Sequence, residues 1–230
     1  MRDRGARKAG GLRVKHCIVL VGMMGAGKSA VGAELARRLS VPVRDSDAEI
    51  AHAAAMTIPE IFARDGEAFF RARETEVLAR LLRAGPAVIP TGGGAWMRAE
   101  NRALVAAAGV SVWLDCSLPT LWHRVRMKPT RPLLQTADPR GTLERLLAER
   151  APVYATADLT LRVGDRDSVE TTGQRLLDLL AQSRPDLFDG AERARIAATA
   201  PHPLPSAPAP SAPAAAPSGP APSSVDESNR

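Results

Sequence analysis

A chain of 230 residues with aromatics at only 3% has room for one core of about 170 residues plus extensions, and that core has to be built from Leu, Val, Ile and Ala. The formal net charge is +6, yet residues 1–15 carry Arg2, Arg4, Arg7, Lys8, Arg13 and Lys15 against Asp3 alone. The remainder is close to neutral, so the excess reads as a solvated leader and argues against a nucleic-acid or membrane-surface partner.

The first apolar run, Cys17-Ile18-Val19-Leu20-Val21, ends at Gly22 and fits a strand covered on both faces. Val31, Leu35 and Leu39 recur at four-residue spacing, one stripe of a helix that stops before Pro42. Phe69, Val77, Leu78, Leu81 and Leu82 predict a second helix ending near Gly85, after which Ala87-Val88-Ile89 is a buried strand running into Gly92, Gly93 and Gly94. Leu104 and Val105 sit on a helix, and the run 110–114 is a third strand. Leu118, Leu121, Trp122 and Val125 continue as helix. Residues 127–140 are polar, with Pro129, Pro132 and Pro139, and read as a long loop. Leu143, Leu146 and Leu147 lie on a helix, the run 159–161 is a late strand, and 169–180 a last helix. Strand and helix in alternation predict an α/β fold of three layers, α/β/α, with a parallel sheet at its centre.

Three segments follow: a disordered leader over 1–15, a folded domain over 16–183, and an extended tail over 184–230. In the tail the stretch 199–224 is dominated by Pro, Ala and Ser and cannot bury a core; the run 190–198 has room for a helical turn. No apolar run reaches the ~18 residues that span a bilayer, and no apolar signal segment follows the basic start. Cys17 and Cys116, each in an apolar run, make no disulfide framework, so a reducing, cytoplasmic setting is expected.

Gly22-Met23-Met24-Gly25-Ala26-Gly27-Lys28-Ser29 matches G-x-x-x-x-G-K-[ST], and it lies between a buried strand and an amphipathic helix, where the mechanism of that motif requires it. Its glycines let successive N–H groups curl inward at a helix start, a cradle for nucleotide phosphates. Lys28 is a compact cation for the β and γ phosphates, and the Ser29 hydroxyl is a hard ligand for Mg2+. Met23 and Met24 read as packing. Ala30 stands where many such loops carry a second hydroxyl. The loop implies a nucleoside triphosphate, and the absence of an N-K-x-D guanine-recognition motif argues against a GTPase.

On the acceptor side, Val43-Arg44-Asp45-Ser46-Asp47 reads as a strand end with two carboxylates facing one way. One would order Mg2+ water and the other meet an acceptor hydroxyl; the same Asp-Ser-Asp also reads as a helix N-cap. Arg71 and Glu74, three apart on a helix, form a pair that on its own is worth a few tenths of a kcal/mol. Arg150, Arg124 and Arg126 also have a plainer reading as solvated charges, the weaker one in each case. His52 and His123 read as surface residues, and Trp96, Trp113, Trp122 and Tyr154 as packing.

The order Gly25-Ala26-Gly27-Lys28-Ser29, Asp45-Ser46-Asp47, Ile61-Phe62, Gly66-Glu67-Ala68-Phe69-Phe70-Arg71 with Glu74, Thr91-Gly92-Gly93-Gly94-Ala95, Arg131-Pro132-Leu133-Leu134 and Glu149-Arg150-Ala151-Pro152-Val153-Tyr154 resembles shikimate kinase over residues 16–182. That resemblance implies a phosphate-loop kinase fold with a central five-stranded parallel sheet and a mobile lid. It implies phosphorylation of the 3-hydroxyl of shikimate by ATP with one Mg2+, in a monomer with no nucleic-acid or membrane partner. By the same resemblance Asp47, Lys28 and Arg131 are catalytic, Asp47 contacting the substrate hydroxyls and Arg131 riding on the lid. Arg71 and Arg150 hold the substrate carboxylate, with Gly93 and Gly94 approaching the substrate through backbone. The nucleotide falls to Gly25, Ala26, Gly27, Lys28, Ser29, Ala30, Arg124, Arg131 and Arg166. Ser29, and Asp45 through water, hold the metal. Phe62 and Phe70 wall the ring, and Glu74 positions an arginine. The Ala-rich segment 51–58 departs from the pattern, where relatives carry a charged residue and a glycine, and so alters the cover over the substrate pocket. Other acceptors, gluconate or nucleoside monophosphates, and a catalytically inactive nucleotide-gated binding protein are the competing readings.

Overall fold

The computed structural model describes residues 14–126 and 132–188. All of them fall in the first of two compact units, Met1–Ala200; the second, Pro201–Arg230, lies outside the described residues, as do the run 190–198 and most of the tail.

Strand β1 (Cys17–Val21) is buried at every residue, which is what a strand with neighbours on both sides and helices on both faces requires. It pairs in parallel with β2 (Val88–Pro90) on one side and β3 (Gly109–Cys116) on the other, and β4 (Leu159–Val163) extends the sheet beyond β3, giving the order β2-β1-β3-β4. The chain moves to one side of β1 to form β2 and then crosses to the other to form β3. The crevice at the strand C-termini therefore opens beside β1, the switch point where ligands bind in such sheets.

Helix α1 (Lys28–Leu39) buries Val31, Leu35 and Leu39, the stripe expected from spacing; each such side chain contributes about 1.5–3 kcal/mol. It packs on α7 (Val169–Ser183), and α3 (Ile58–Arg83) packs on α4 (Ala99–Ala108), so the sheet is flanked by helices as predicted. The α1–α7 seam is close enough that a Cβ on Gly173 would come within 2.7 Å of Glu34 Cγ. Glu34 there binds Arg37 and Arg38, and Arg38 reaches on to Gln174 and the Glu170 carbonyl.

Several expectations are corrected. The sheet has four strands rather than five: the fifth is reduced to a parallel bridge of Val43 with Val88, where Val88 N–H donates to Pro42 O at 3.0 Å and Arg44 N–H donates to Val88 O at 2.9 Å. Pro42 has no N–H to extend that ladder, and Asp45 is already committed to capping α2 (Ser46–Ala54). Asp45 and Asp47 therefore do not share an extended segment; one caps the helix and the other lies in its first turn. Helix α3 starts well before Phe69, at a capping box formed by Thr57 and Glu60, and continues through a kink at Gly66 (φ 80°, ψ 173°). Within 127–140, Pro132–Leu134 forms a 3-10 turn and α6 (Pro139–Tyr154) begins under an Asp138 cap. Buried residues also lie just outside the expected bounds 16–183. Val14 is buried and bridges antiparallel to Phe188, Lys15 N–H donates to Leu187 O, and Leu187 and Phe188 are buried with it.

Candidate active site

A cavity of about 750 Å3 opens at the C-terminal ends of the strands. Its floor is the loop after β1. Gly25 (φ 84°) and Gly27 (φ 93°) occupy left-handed backbone, which an L side chain enters only under strain. Gly27 is also the N-cap of α1, so the turn delivers the backbone directly into the helix start. The Lys28 ammonium donates to Gly22 O at 2.9 Å and Met23 O at 3.0 Å, spanning the loop it serves. Residues 24–31 line the cavity, so Gly25, Ala26, Gly27, Lys28, Ser29 and Ala30 are brought together as expected.

One wall comes from α2. The Ser29 hydroxyl donates to Asp45 Oδ2 at 2.6 Å, while Asp45 Oδ1 accepts the Asp47 and Ala48 N–H groups. The cap thus places one carboxylate oxygen on the phosphate loop and points the first turn, with Asp47, into the cavity. Opposite stand Thr91, Gly92 and Gly93, following β2. Thr91 is anchored twice to Leu20 O, through its N–H and its hydroxyl. Gly92 lies so close to the acids that a Cβ there would come within 2.6 Å of Asp47 Oδ1 and 3.1 Å of Glu74 Oε1.

Arg71 and Arg150 sit beyond the cavity lining, behind the glycines. Arg71 packs against two aromatic rings that lie on the same side of it. Its guanidinium lies 5.9 Å from the Phe62 ring centroid and 5.2 Å from that of Phe70, and these two rings are 4.6 Å apart. Its Nη1 donates to Glu74 Oε2 at 2.9 Å, and Nε and Nη2 donate to Glu67 Oε1. Glu74 is 1% exposed; burial pushes its pKa above the ordinary value, opposed by Arg71 and reinforced by nearby Asp47. Burial lowers the Arg71 pKa, but Glu74 and Glu67 outweigh it and the net shift is upward. This arginine is a fixed cation across any working pH. Arg150, on α6, lies beside the Tyr154 phenol one turn on.

At the other end of the cavity, Arg124 Nη1 donates weakly to Gly25 O at 3.4 Å and Ala26 O at 3.5 Å. Arg166 is exposed and does not line the cavity; that wall is made by Val163, Asp167, Ser168, Val169 and Thr172, with exposed His123 opposite. The local reason is the turn after β4. Asp167 accepts the Gly164 N–H at 2.8 Å and Arg175 Nη1 at 2.5 Å, and Ser168 caps α7. These residues were missed because each reads as an ordinary turn or cap. Only the rule that ligands bind at strand C-termini pointed to them. Arg131 lies outside the described residues.

A family model described as shikimate kinase matches residues 24–181. The shikimate kinase of Cereibacter sphaeroides is 55% identical over 195 residues, 84% of this chain and 97% of that relative; that of Ruegeria pomeroyi is 54% identical over 181 residues, 78% and 92%. Among solved structures, shikimate kinase from Acinetobacter baumannii in complex with shikimate superposes with a TM-score of 0.71 at 37% identity, covering 74% of this chain and 95% of that one. The Bacteroides thetaiotaomicron enzyme gives 0.67 at 35%, covering 72% and 98%. With the family model matching more than half of its length and relatives over half identical across most of it, the chain belongs to the shikimate kinase family.

Proposed function

We propose a division of labour for a chain that transfers the γ-phosphoryl group of ATP to the 3-hydroxyl of shikimate, giving shikimate 3-phosphate and ADP on the route to the aromatic amino acids. The carrying observation is that one cavity is lined by the phosphate loop, Asp47 and the Thr91–Gly93 backbone, with Arg71 packed behind the next glycine, Gly94. The amides of 25–30 hold the phosphates, and Lys28 neutralises charge developing on the transferring group. Asp47 orients the acceptor hydroxyl and takes its proton late in transfer. Arg71 and Arg150 clasp the acceptor's carboxylate through planar forks, which lysine cannot offer. Arg131 adds charge from the lid, and Arg124 closes over the nucleoside. The exposure of Arg166 leaves the nucleoside wall to Asp167, Ser168 and Val169.

The residues at the acidic wall fit Mg2+. A hydroxyl and a carboxylate, both hard oxygens, stand together at Ser29 and Asp45, with phosphates and water left to complete six ligands. Ser29 would hold the ion directly and Asp45 through water, and the bound ion supplies charge compensation to the phosphate oxygens. The free, buried Cys17 and Cys116 suit a reducing cytoplasm.

ADP release measured with Mg-ATP against shikimate, gluconate and nucleoside monophosphates tests the reading. Turnover is expected with shikimate and not with the others; absence of shikimate-dependent ADP overturns it.

A further inference from the structure

Tyr154 is the only tyrosine in the chain, and it ends α6 one turn after Arg150. Its ring is fully buried and lies against Trp113, with centroids 6.1 Å apart. Trp113 in turn abuts the first glycine of the phosphate loop: a Cβ on Gly22 would come within 3.2 Å of Trp113 Cδ1. The phenol therefore stands where the acceptor glycines, the acid-binding helix and the phosphate loop meet.

Its hydroxyl donates to Gly93 O at 2.5 Å and has Met23 Sδ at 3.8 Å as a poorer second acceptor. Arg150 precedes Tyr154 by four residues on α6, so the two side chains are neighbours on one face of the helix. The phenol thus holds a backbone carbonyl one helical turn from a side chain that the proposed function assigns to the acceptor's carboxylate. The peptide bond is planar and trans, so the Gly93 carbonyl and the Gly94 N–H point in opposite directions across one rigid plane. Holding the carbonyl on Tyr154 fixes the direction of that N–H. The constraint matters here because three consecutive glycines have more backbone freedom to lose than any other tripeptide. A second tie runs in parallel: Trp96 Nε1 donates to Val153 O at 3.1 Å, joining the turn after the glycines to the end of α6.

We propose that Tyr154 is a positioning residue for the acceptor: its hydroxyl sets the plane of the Gly93–Gly94 peptide and the placement of Arg150, so that both meet the substrate carboxylate pre-aligned. This rests on the assignment of Arg150 to that carboxylate. Burial supports the role by pushing the phenol pKa up to about 12, partly offset by Arg150, so the hydroxyl keeps its proton and remains a donor.

The test is Tyr154→Phe, which keeps the ring and removes the oxygen. The KM for shikimate should rise about tenfold, the effect of leaving a buried carbonyl unbonded and the fork unaligned, while the KM for ATP stays within about twofold. A purely structural tyrosine would raise both together or neither, and either result overturns the proposal. Should the variant fail to fold, the intact enzyme carrying 3-fluorotyrosine reports through its single 19F resonance. Saturating shikimate should shift that resonance and ATP alone should not; a resonance unmoved by shikimate overturns the proposal. Arg150→Lys run alongside separates the two levels. If it raises the shikimate KM while Tyr154→Phe does not, the arginine assignment stands and the tyrosine role falls; if Arg150→Lys has no effect, both fall.

Discussion

Gly94→Ala isolates the arginine from the glycine that hides it. Gly94 has φ −91° and ψ −16°, ordinary backbone for alanine, so the substitution brings no conformational strain. The obstacle is contact: a Cβ there would sit 2.5 Å from both terminal nitrogens of Arg71 and 2.7 Å from Cζ. Normal separation for such atoms is about 3.5 Å, so the guanidinium has to retreat by about 1 Å. It has little room, because Phe62 and Phe70 lie against one side of it, Glu74 holds Nη1 at 2.9 Å, and Glu67 holds Nε and Nη2. A shift of that size breaks one charged hydrogen bond and misaligns the fork, a loss of roughly 1.5–3 kcal/mol, or about 10- to 150-fold in affinity. The expected outcome is a shikimate KM raised by that factor with the ATP KM unchanged, read by steady-state ADP release with each substrate varied in turn. Gly93→Ala is the control. Its Cβ would find its nearest atoms at 3.6 Å, so that variant should keep the native melting temperature, and any activity it loses reports on substrate approach. A stable Gly94→Ala enzyme with an unaltered shikimate KM would refute the assignment of Arg71.

Three more outcomes follow from the same geometry. Asp47→Asn should lower kcat by about 10²–10⁴-fold with a smaller change in the shikimate KM, because the amide keeps the shape but cannot take a proton; equal losses in kcat and in affinity would mean Asp47 only binds. Glu34 has its pKa lowered to about 2 from the ordinary 4.5 by hydrogen bonds from Arg37 and, after the opposing effect of burial, Arg38. A lowered carboxyl stabilises the fold above 4.5 and loses that contribution as pH falls from 4.5 toward 2, so denaturation midpoints at about pH 6 and about pH 3 should diverge by about 0.5 kcal/mol more in the native chain than in Glu34→Gln, the figure for a solvent-screened pair. Burial pushes the Cys116 thiol up to about 11, against the pull of Arg124, so iodoacetamide at about pH 8 should leave it unmodified in the native protein and label it after unfolding, as mass spectrometry of the peptide would show.

How much of this was legible depended on how local the cause was. The phosphate loop was readable in full because eight consecutive residues and their flanking strand and helix contain the whole mechanism. Strands β1 and β2 were readable because each is buried throughout and so runs apolar without interruption. The Asp45–Asp47 segment was half readable: the residues were right, but the helix begins at Ser46, and extended geometry fails because Asp45 caps its own downstream amides at 3.0 and 3.3 Å. The fifth strand was lost to Pro42 on one side and that cap on the other. The nucleoside wall at 163–172 carries no motif, since a buried valine, a turn aspartate and a capping serine acquire a role only through where β4 ends. Tyr154 was read as packing for the same reason: its bond to Gly93 spans 61 residues, and no window along the chain contains both ends.

The acceptor end also shows why a buried charge is kept where it does not stabilise. Burial raises the Glu74 pKa despite Arg71 at 2.9 Å, so the fold disfavours its ionised form, and whatever it adds at low pH is lost as pH rises through that elevated value. Pairs of this kind are often no more stabilising than an apolar replacement. What the pair does provide is direction. Glu74 holds one terminal nitrogen of Arg71, Glu67 the other, the rings of Phe62 and Phe70 back it from one side, and the missing side chain of Gly94 lets the guanidinium sit near the backbone. An arginine free to rotate would bind any small anion about equally well. One fixed by two carboxylates and backed by two rings meets a carboxylate in a narrower set of orientations, and under the proposed roles the hydroxyl facing Asp47 is then selected by the distance between the two groups.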